Sequence, residues 1–307
     1  MGLKILETSS YLPSNIVTND DFAKYLETSD EWISSRTGIK ERRFSLDDDT
    51  SNLAYKSVDK LNIKDKGKID LVLVATFTSD KAMPSIASSI QKRLGLKESI
   101  FAMDFNMACS GFVAGLNLCE KYLDNGRQAI LIGSEMISKT LDKNDRSTVV
   151  LFGDGAGAVL IEKNDNRQYF EIGTRPNEES LKLDARSISE KNNYISMNGK
   201  EVFRFATETL PITIGNLLED KNMTINDVDY VVCHQANYRI LNHVAKKTKI
   251  PAEKFYMNLD KYGNTSAASI PIVLDEMNKK NLLKRGMKIV IVGFGAGLSW
   301  IGTVIEW

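Results

Sequence analysis

The chain has 307 residues, 42% of them hydrophobic, enough for two modest domains or one large fold; a chain this long buries roughly three-quarters of the surface it exposes when unfolded. Lys+Arg and Asp+Glu each number 40; the zero net charge argues against a general nucleic-acid binder, and the apolar content excludes disorder. Three cysteines without Cys-x-x-Cys spacing and two histidines leave no disulfide framework, zinc knuckle or histidine-rich metal site, and suit a reducing compartment.

The opening stretch, MGLKILETSSYLPSN, lacks the basic and apolar regions of a signal peptide, so a cytoplasmic location is expected. Ile69–Thr76 (IDLVLVAT) predicts a strand buried on both faces. Pro84 then opens a helical pattern, with Pro in its first turn and Gly95 at its end. Ile100–Asn106 reads as a strand, Cys109–Asn125 as a helix stopped by Gly126, and Gln128–Ile132 as a third strand. Val149–Ile161 reads as a strand pair around FGDGAG. Residues 164–198 are polar and read as a link plus a surface excursion.

The second half repeats the order. Glu201–Glu219 predicts a helix, Val228–Cys233 a strand, Tyr238–Lys249 a helix, Ser266–Leu283 a helix and Lys288–Val292 a strand. Met287–Trp307 is the longest apolar stretch, but Lys288 and four glycines break it. It reads as two buried strands joined by a turn rather than a membrane span. The FGAG of that turn echoes FGDGAG. The matching order of elements predicts an internal duplication, with halves at 1–164 and 165–307.

Cys109 falls where a strand turns into a helix. Backbone N–H groups and the helix dipole would lower a thiol pKa there, although a free cysteine also serves as a small buried hydrophobe. Cys119 and Cys233 read as core. His234 ends an apolar strand, where α/β folds place their sites; a purely structural histidine fits the same position. His243 reads as part of a solvated helix face. Asn264 precedes a helix and could simply cap it. The duplication nevertheless sets its helix opposite the one beginning at Cys109. The order Cys, His, Asn is also that of papain-like proteases, but ACSGF lacks their local signature.

Six segments occur in order: DEWISSRTGIKERR (30–43), MACSGF (107–112), DRSTVVLFGDGAG (145–157), CHQANYRI (233–240), YGNTSAASIP (262–271) and GFGAGLSW (293–300). The chain resembles, from end to end, the β-ketoacyl-acyl-carrier-protein (ACP) synthases III, which initiate bacterial fatty-acid synthesis. The resemblance implies an α/β thiolase-like duplicated fold, a five-layered α-β-α-β-α sandwich. It implies decarboxylative condensation of an acyl-CoA primer, expected to be acetyl-CoA, with malonyl-ACP. An enzyme loading a special starter in secondary metabolism on the same scaffold is the alternative.

The resemblance further implies Cys109 as nucleophile, His234 and Asn264 as donors to an enolate, and the backbone N–H of Cys109 and Ala296 as an oxyanion hole. It places CoA against Trp32, Arg36, Arg146, Gly199, Phe203, Asn237 and Phe294. A core anchor is the other reading of Trp32. It places ACP on Arg204, Arg239, Lys246 and Lys247, and puts Met83 in the primer pocket, reached across a homodimer interface. No cofactor, metal, nucleic acid or membrane partner is implied; the CoA thioesters are substrates. The chain departs from the family pattern at Met83, Met107, Ala296 and Ile301. Ala296 would be strained if its position required a positive φ.

Overall fold

The computed structural model describes residues 2–184 and 194–307. Two twisted sheets carry the fold. The first runs in the order Leu3–Tyr11, Gly155–Lys163, Gln128–Glu135, Ile69–Ala75, Phe101–Phe105. The second runs Phe170–Asn177, Gly297–Glu306, Lys288–Gly295, Tyr230–Cys233. Position by position the first four strands of the one match the four of the other. In each, the 128–135 or 288–295 strand is parallel to its inner neighbour and antiparallel to the return strand. The fifth strand, Phe101–Phe105, is echoed by an isolated parallel bridge from Phe255 to Val231.

Five layers follow from where the apolar faces go. Helices Thr50–Val58 and Ile86–Leu94 cover the outer face of the first sheet, burying Ala54, Val58, Ile86 and Ile90 against Val72, Val74 and Ile130. Helices Gly111–Tyr122 and Ser269–Lys279 lie between the sheets. Phe112, Leu116, Ile270 and Val273 pack there with Leu73 and Leu131 from one sheet and Ile289 and Ile291 from the other. Helices Gly199–Asp220 and Tyr238–Thr248 cover the outer face of the second sheet through Leu210, Ile214, Leu241 and Val244. A strand buried on both faces needs an apolar residue at every position, which explains runs such as IDLVLVA and KIVIVGFG.

Three sequence expectations are corrected. Pro84 precedes the helix rather than starting it: Ser85 is the N-cap, accepting the Ser88 N–H at 3.1 Å, and Gly95 ends the helix at φ +59°. Val149–Ile161 is not a strand pair. Only Gly155–Lys163 is a strand; before it the chain makes helical turns held by Asp145, whose carboxylate accepts from the Ser147 and Thr148 hydroxyls. The polar segment 164–198 is more than a link, because Phe170–Asn177 forms the edge of the second sheet. Polar residues suit such an edge, which is half-solvated; residues 185–193 of that segment lie outside the described ones. Among the described residues no helix is long and apolar enough to cross a membrane.

Candidate active site

Cys109 is the middle residue of a 3₁₀ turn, Ala108–Ser110, that leads strand Phe101–Phe105 into helix Gly111–Tyr122. The turn is sharp: Ala108 sits at φ +44°, and its N–H is held at 2.9 Å by the Asn106 side-chain oxygen. The turn Ser266–Ala268 repeats this in the second half, with Ser266 at φ +48° and its N–H 2.9 Å from Asn264 Oδ1. The two turns abut. A Cβ on Gly111 would come within 2.9 Å of Ala75 Cβ and 3.3 Å of Ala267 Cβ. At Gly295 a Cβ would lie 2.8 Å from Cys109 Cβ, so glycine lets the 294–297 turn approach the thiol.

His234 follows strand Tyr230–Cys233 and is pinned by its N–H to Val292 O at 2.8 Å. Its ring is buried, meets Phe294 edge-on with centroids 5.2 Å apart, and places Nδ1 2.8 Å from Ser269 Oγ. The same Oγ accepts the Gln235 N–H at 3.4 Å. Burial pushes the imidazole down to about 3, opposed by a hydrogen bond with the Ser266 backbone, so the ring is neutral near pH 7. Asn264 is buried, and the bond to Ser266 commits its amide oxygen, turning the NH₂ end toward the cavity.

Two cavities meet at Cys109. A narrow one of about 100 Å³ is lined by Cys109, His234, Asn264, Gly199, Phe203, Asn237 and Phe294, among others. A wider one of about 560 Å³ includes Cys109, Met107, Ala296, Phe77, Leu181 and Ile195. Burial pushes the Cys109 thiol up to about 12; the Ser266 hydroxyl opposes this, and the Glu135 charge adds to it. The lowered thiol pKa expected from the helix start is therefore not found: desolvation outweighs the turn. Cys119 and Cys233 are core residues, as read from sequence. Ala296 is absent from the positive-φ residues, so replacing glycine there introduces no backbone strain. Ser299 Oγ closes its turn by donating to Ala296 O at 3.0 Å.

Trp32, Arg36 and Arg146 lie together, away from both cavities. The Arg36 and Arg146 guanidiniums stand 4.5 and 4.7 Å from the Trp32 ring centroid. A base stacking between Trp32 and Arg146 would have to displace that guanidinium. Asn237 caps helix Tyr238–Thr248 and donates to Arg36 O at 3.1 Å, tying this cluster to the narrow cavity. Arg204, Arg239, Lys246 and Lys247 are exposed on the two outer helices of the second sheet. His243 is half-buried rather than fully solvated, its ring edge-on to Phe203. Met83 is 83% exposed and lines neither cavity.

Two family models match the chain: 3-oxoacyl-[acyl-carrier-protein (ACP)] synthase III over residues 103–176, and its C-terminal counterpart over residues 218–307. A β-ketoacyl-[acyl-carrier-protein] synthase III of Clostridium acetobutylicum is 45% identical, covering 100% of this chain and 99% of that protein. The chain belongs to the 3-oxoacyl-ACP synthase III family. A Clostridium botulinum synthase III is 46% identical over the same shares. The crystal structure of the Aquifex aeolicus synthase III superposes with a TM-score of 0.92 at 38% identity, covering 100% of both chains. The fold is accordingly the thiolase-like one, and the chain is an acyltransferase that starts fatty-acid synthesis by condensing an acyl-CoA with malonyl-ACP.

Sequence reasoning missed several residues of this synthase's site. Ser266 and Ser269 lie inside TSAAS, and matching the two half-chain turns residue by residue would have exposed them. Glu135, fully buried beneath the site and accepting from the Thr76 and Thr78 hydroxyls, lies beyond Gln128–Ile132, where the sequence reading ended a strand that runs on to residue 135. Phe77, Leu181, Leu183 and Ile195 line the wide cavity. The last three come from the polar excursion, where no periodicity announced them.

Proposed function

We propose that Cys109 is the nucleophile, that the narrow cavity receives the pantetheine arm of CoA and then of malonyl-ACP, and that the wide cavity receives the primer. The observation carrying this is the position of Cys109 at the junction of the two cavities, with His234 and Asn264 on the narrow side. The sulfur attacks the thioester carbon of acyl-CoA. The C–S bond to CoA breaks, and the proton lost by Cys109 ends on the departing CoA sulfur. A thiolate suits this because the thioester it forms stays reactive toward carbon.

Malonyl-ACP then loses carbon dioxide, leaving an enolate whose oxygen needs donors. Asn264 supplies its NH₂. In this reading Ser269 Oγ donates to His234 Nδ1, which leaves the ring proton on Nε2. A neutral ring is the better donor here, since it adds no buried charge. The enolate carbon attacks the acyl-Cys109 carbonyl, and the backbone N–H groups of Cys109 and Ala296 face the oxyanion. Each such donor typically contributes ~3 kcal/mol. Acetyl-CoA is the primer this reading favours. No cofactor takes part.

Trp32, Arg36 and Arg146 hold the nucleotide end of CoA, the adenine taken between Trp32 and a displaced Arg146 and the Arg36 guanidinium fork meeting a phosphate. Gly199, Phe203, Asn237 and Phe294 line the arm's path, and Arg204, Arg239, Lys246 and Lys247 receive the acidic carrier protein. The protein works in the cytoplasm as a homodimer joined at the unpaired edge Phe101–Phe105. There Phe101 and Tyr122, stacked at 5.5 Å, are exposed. The test is Cys109→Ala: acyl labelling from acyl-CoA and condensation should vanish together. Labelling that persists on Cys119 or Cys233 moves the nucleophile elsewhere.

A further inference from the structure

Ser266 is 0% exposed, and its hydroxyl has no hydrogen-bond partner among the described residues. A buried hydroxyl without a partner is costly and calls for an explanation. The turn it begins does not require it. At the matching position of the first half, Ala108 adopts the same left-handed conformation with no hydroxyl. Thus the backbone accepts alanine, and serine brings something else. The turn it begins abuts the one that carries Cys109, and its hydroxyl is the side-chain group that favours the ionised form of that thiol against burial.

We infer that the Ser266 hydroxyl is a catalytic hydrogen-bond donor to Cys109 Sγ, engaged whenever that sulfur carries negative charge. The inference rests on Cys109 being the nucleophile. Sulfur is anionic twice per turnover. Before acylation, the thiolate must exist in order to attack. In condensation, the new C–C bond forms, the bond from the acyl carbon to Sγ breaks, and the electron pair returns to sulfur. Ser266 holds the charge in both steps without transferring its proton. The site is dry and its thiol is otherwise pushed strongly toward the neutral form, so a single donor to the anion matters more than it would in water.

The test separates hydroxyl from backbone by using two variants. Ser266→Ala removes the hydroxyl, and Ser266→Gly removes it while relaxing the left-handed φ. The rate of alkylation by iodoacetamide is followed from pH 6 to 10, with adducts located by mass spectrometry and folding followed by thermal melting. A lost charge-assisted bond should slow alkylation of Cys109 by about tenfold to a hundredfold below its titration midpoint, equally in both variants. Acylation and condensation should slow together, with the Michaelis constant for acyl-CoA little changed. If Ser266→Gly behaves as wild type, or if both variants keep the wild-type pH profile, the proposal is overturned. Acyl adducts found away from Cys109 in the wild-type enzyme would strike down the nucleophile assignment instead.

Discussion

Asn106 and Asn264 make the same hydrogen bond in opposite halves of the chain: each side-chain oxygen accepts, at 2.9 Å, the N–H of the residue two positions on. One bond fixes the turn that carries Cys109, the other the turn that carries Ser266. The environments differ. Asn106 is exposed and borders the wide cavity, whereas Asn264 is buried beside His234 in the narrow one. The fold uses the same turn twice, and only the second copy is buried, which sets the Asn264 amide at low dielectric beside His234.

A division of labour follows. If the two side chains serve the enolate as proposed, His234→Ala and Asn264→Ala should each lower malonyl-ACP decarboxylation by ~10²-fold or more while sparing most Cys109 acylation. Asn106→Ala should affect both half-reactions modestly, by loosening the turn. The measurement is carbon dioxide release against acyl labelling in each variant. Equal loss of both half-reactions at His234 would make it the base for the thiol.

Glu135 gives a pH prediction. Burial pushes its carboxyl up to about 8, against the hydrogen bonds from Thr78, the Phe77 N–H and Thr76. Its folded pKa exceeds the unfolded one, so the native state binds more protons between the two values and stability falls as pH rises through that window. His234, held down to about 3, acts oppositely below its ordinary 6.5; the two oppose each other between roughly pH 4.5 and 6.5. From pH 6.5 to 8 His234 no longer opposes the Glu135 contribution, which amounts to a fall of about 2 kcal/mol at the full slope of ~1.4 kcal/mol per pH unit. Urea unfolding across that range should show the decline in wild type and a clearly shallower one in Glu135→Gln.

The fold was largely legible because fully buried strands carry unbroken apolar runs, as in IDLVLVA, and because capped helices announce their ends, as at Gly95. The site was legible in its motifs, yet not in its energetics. Cys109 stands at the strand-to-helix turn expected of it, but no local pattern reveals that packing of the 266–268 and 294–297 turns desolvates the thiol. Leu181 and Leu183 escaped notice for a related reason: isolated apolar residues in a polar segment gain meaning only when distant chain folds over them.

Lys247 tests the carrier-protein face. It is exposed near the end of helix Tyr238–Thr248, beside Lys246, in a protein of zero net charge. Lys247→Glu should raise the Michaelis constant for malonyl-ACP and leave acyl-CoA kinetics unchanged. The effect should shrink as salt rises, because exposed charges more than about 10 Å apart are screened at 0.1 M. Arg239 is the less clean probe, since its Nε also bonds Ser35 O at 3.0 Å. Equal changes with malonyl-CoA and malonyl-ACP would show that the patch does not read the carrier.

Primer selection separates two residues. Phe77 lines the wide cavity, while Met83, 83% exposed and outside that cavity, would reach a primer only from the partner subunit of the proposed dimer. Removing the ring in Phe77→Ala should admit longer chains whatever the oligomeric state. Met83 is flexible where a ring is not, so Met83→Phe should tighten selection toward acetyl and Met83→Ala should loosen it, in the dimer only. Each buried methylene is worth about 0.8 kcal/mol, and pocket size discriminates by roughly 10–200-fold. Those values bound the change in the ratio of specificity constants for acetyl-, butyryl- and hexanoyl-CoA. The ratios are measured alongside the sedimentation behaviour of each variant. A ratio that moves with Phe77 but not with Met83 in a sedimenting dimer would take Met83 out of the primer site and leave its shape to Phe77, Leu181, Leu183 and Ile195.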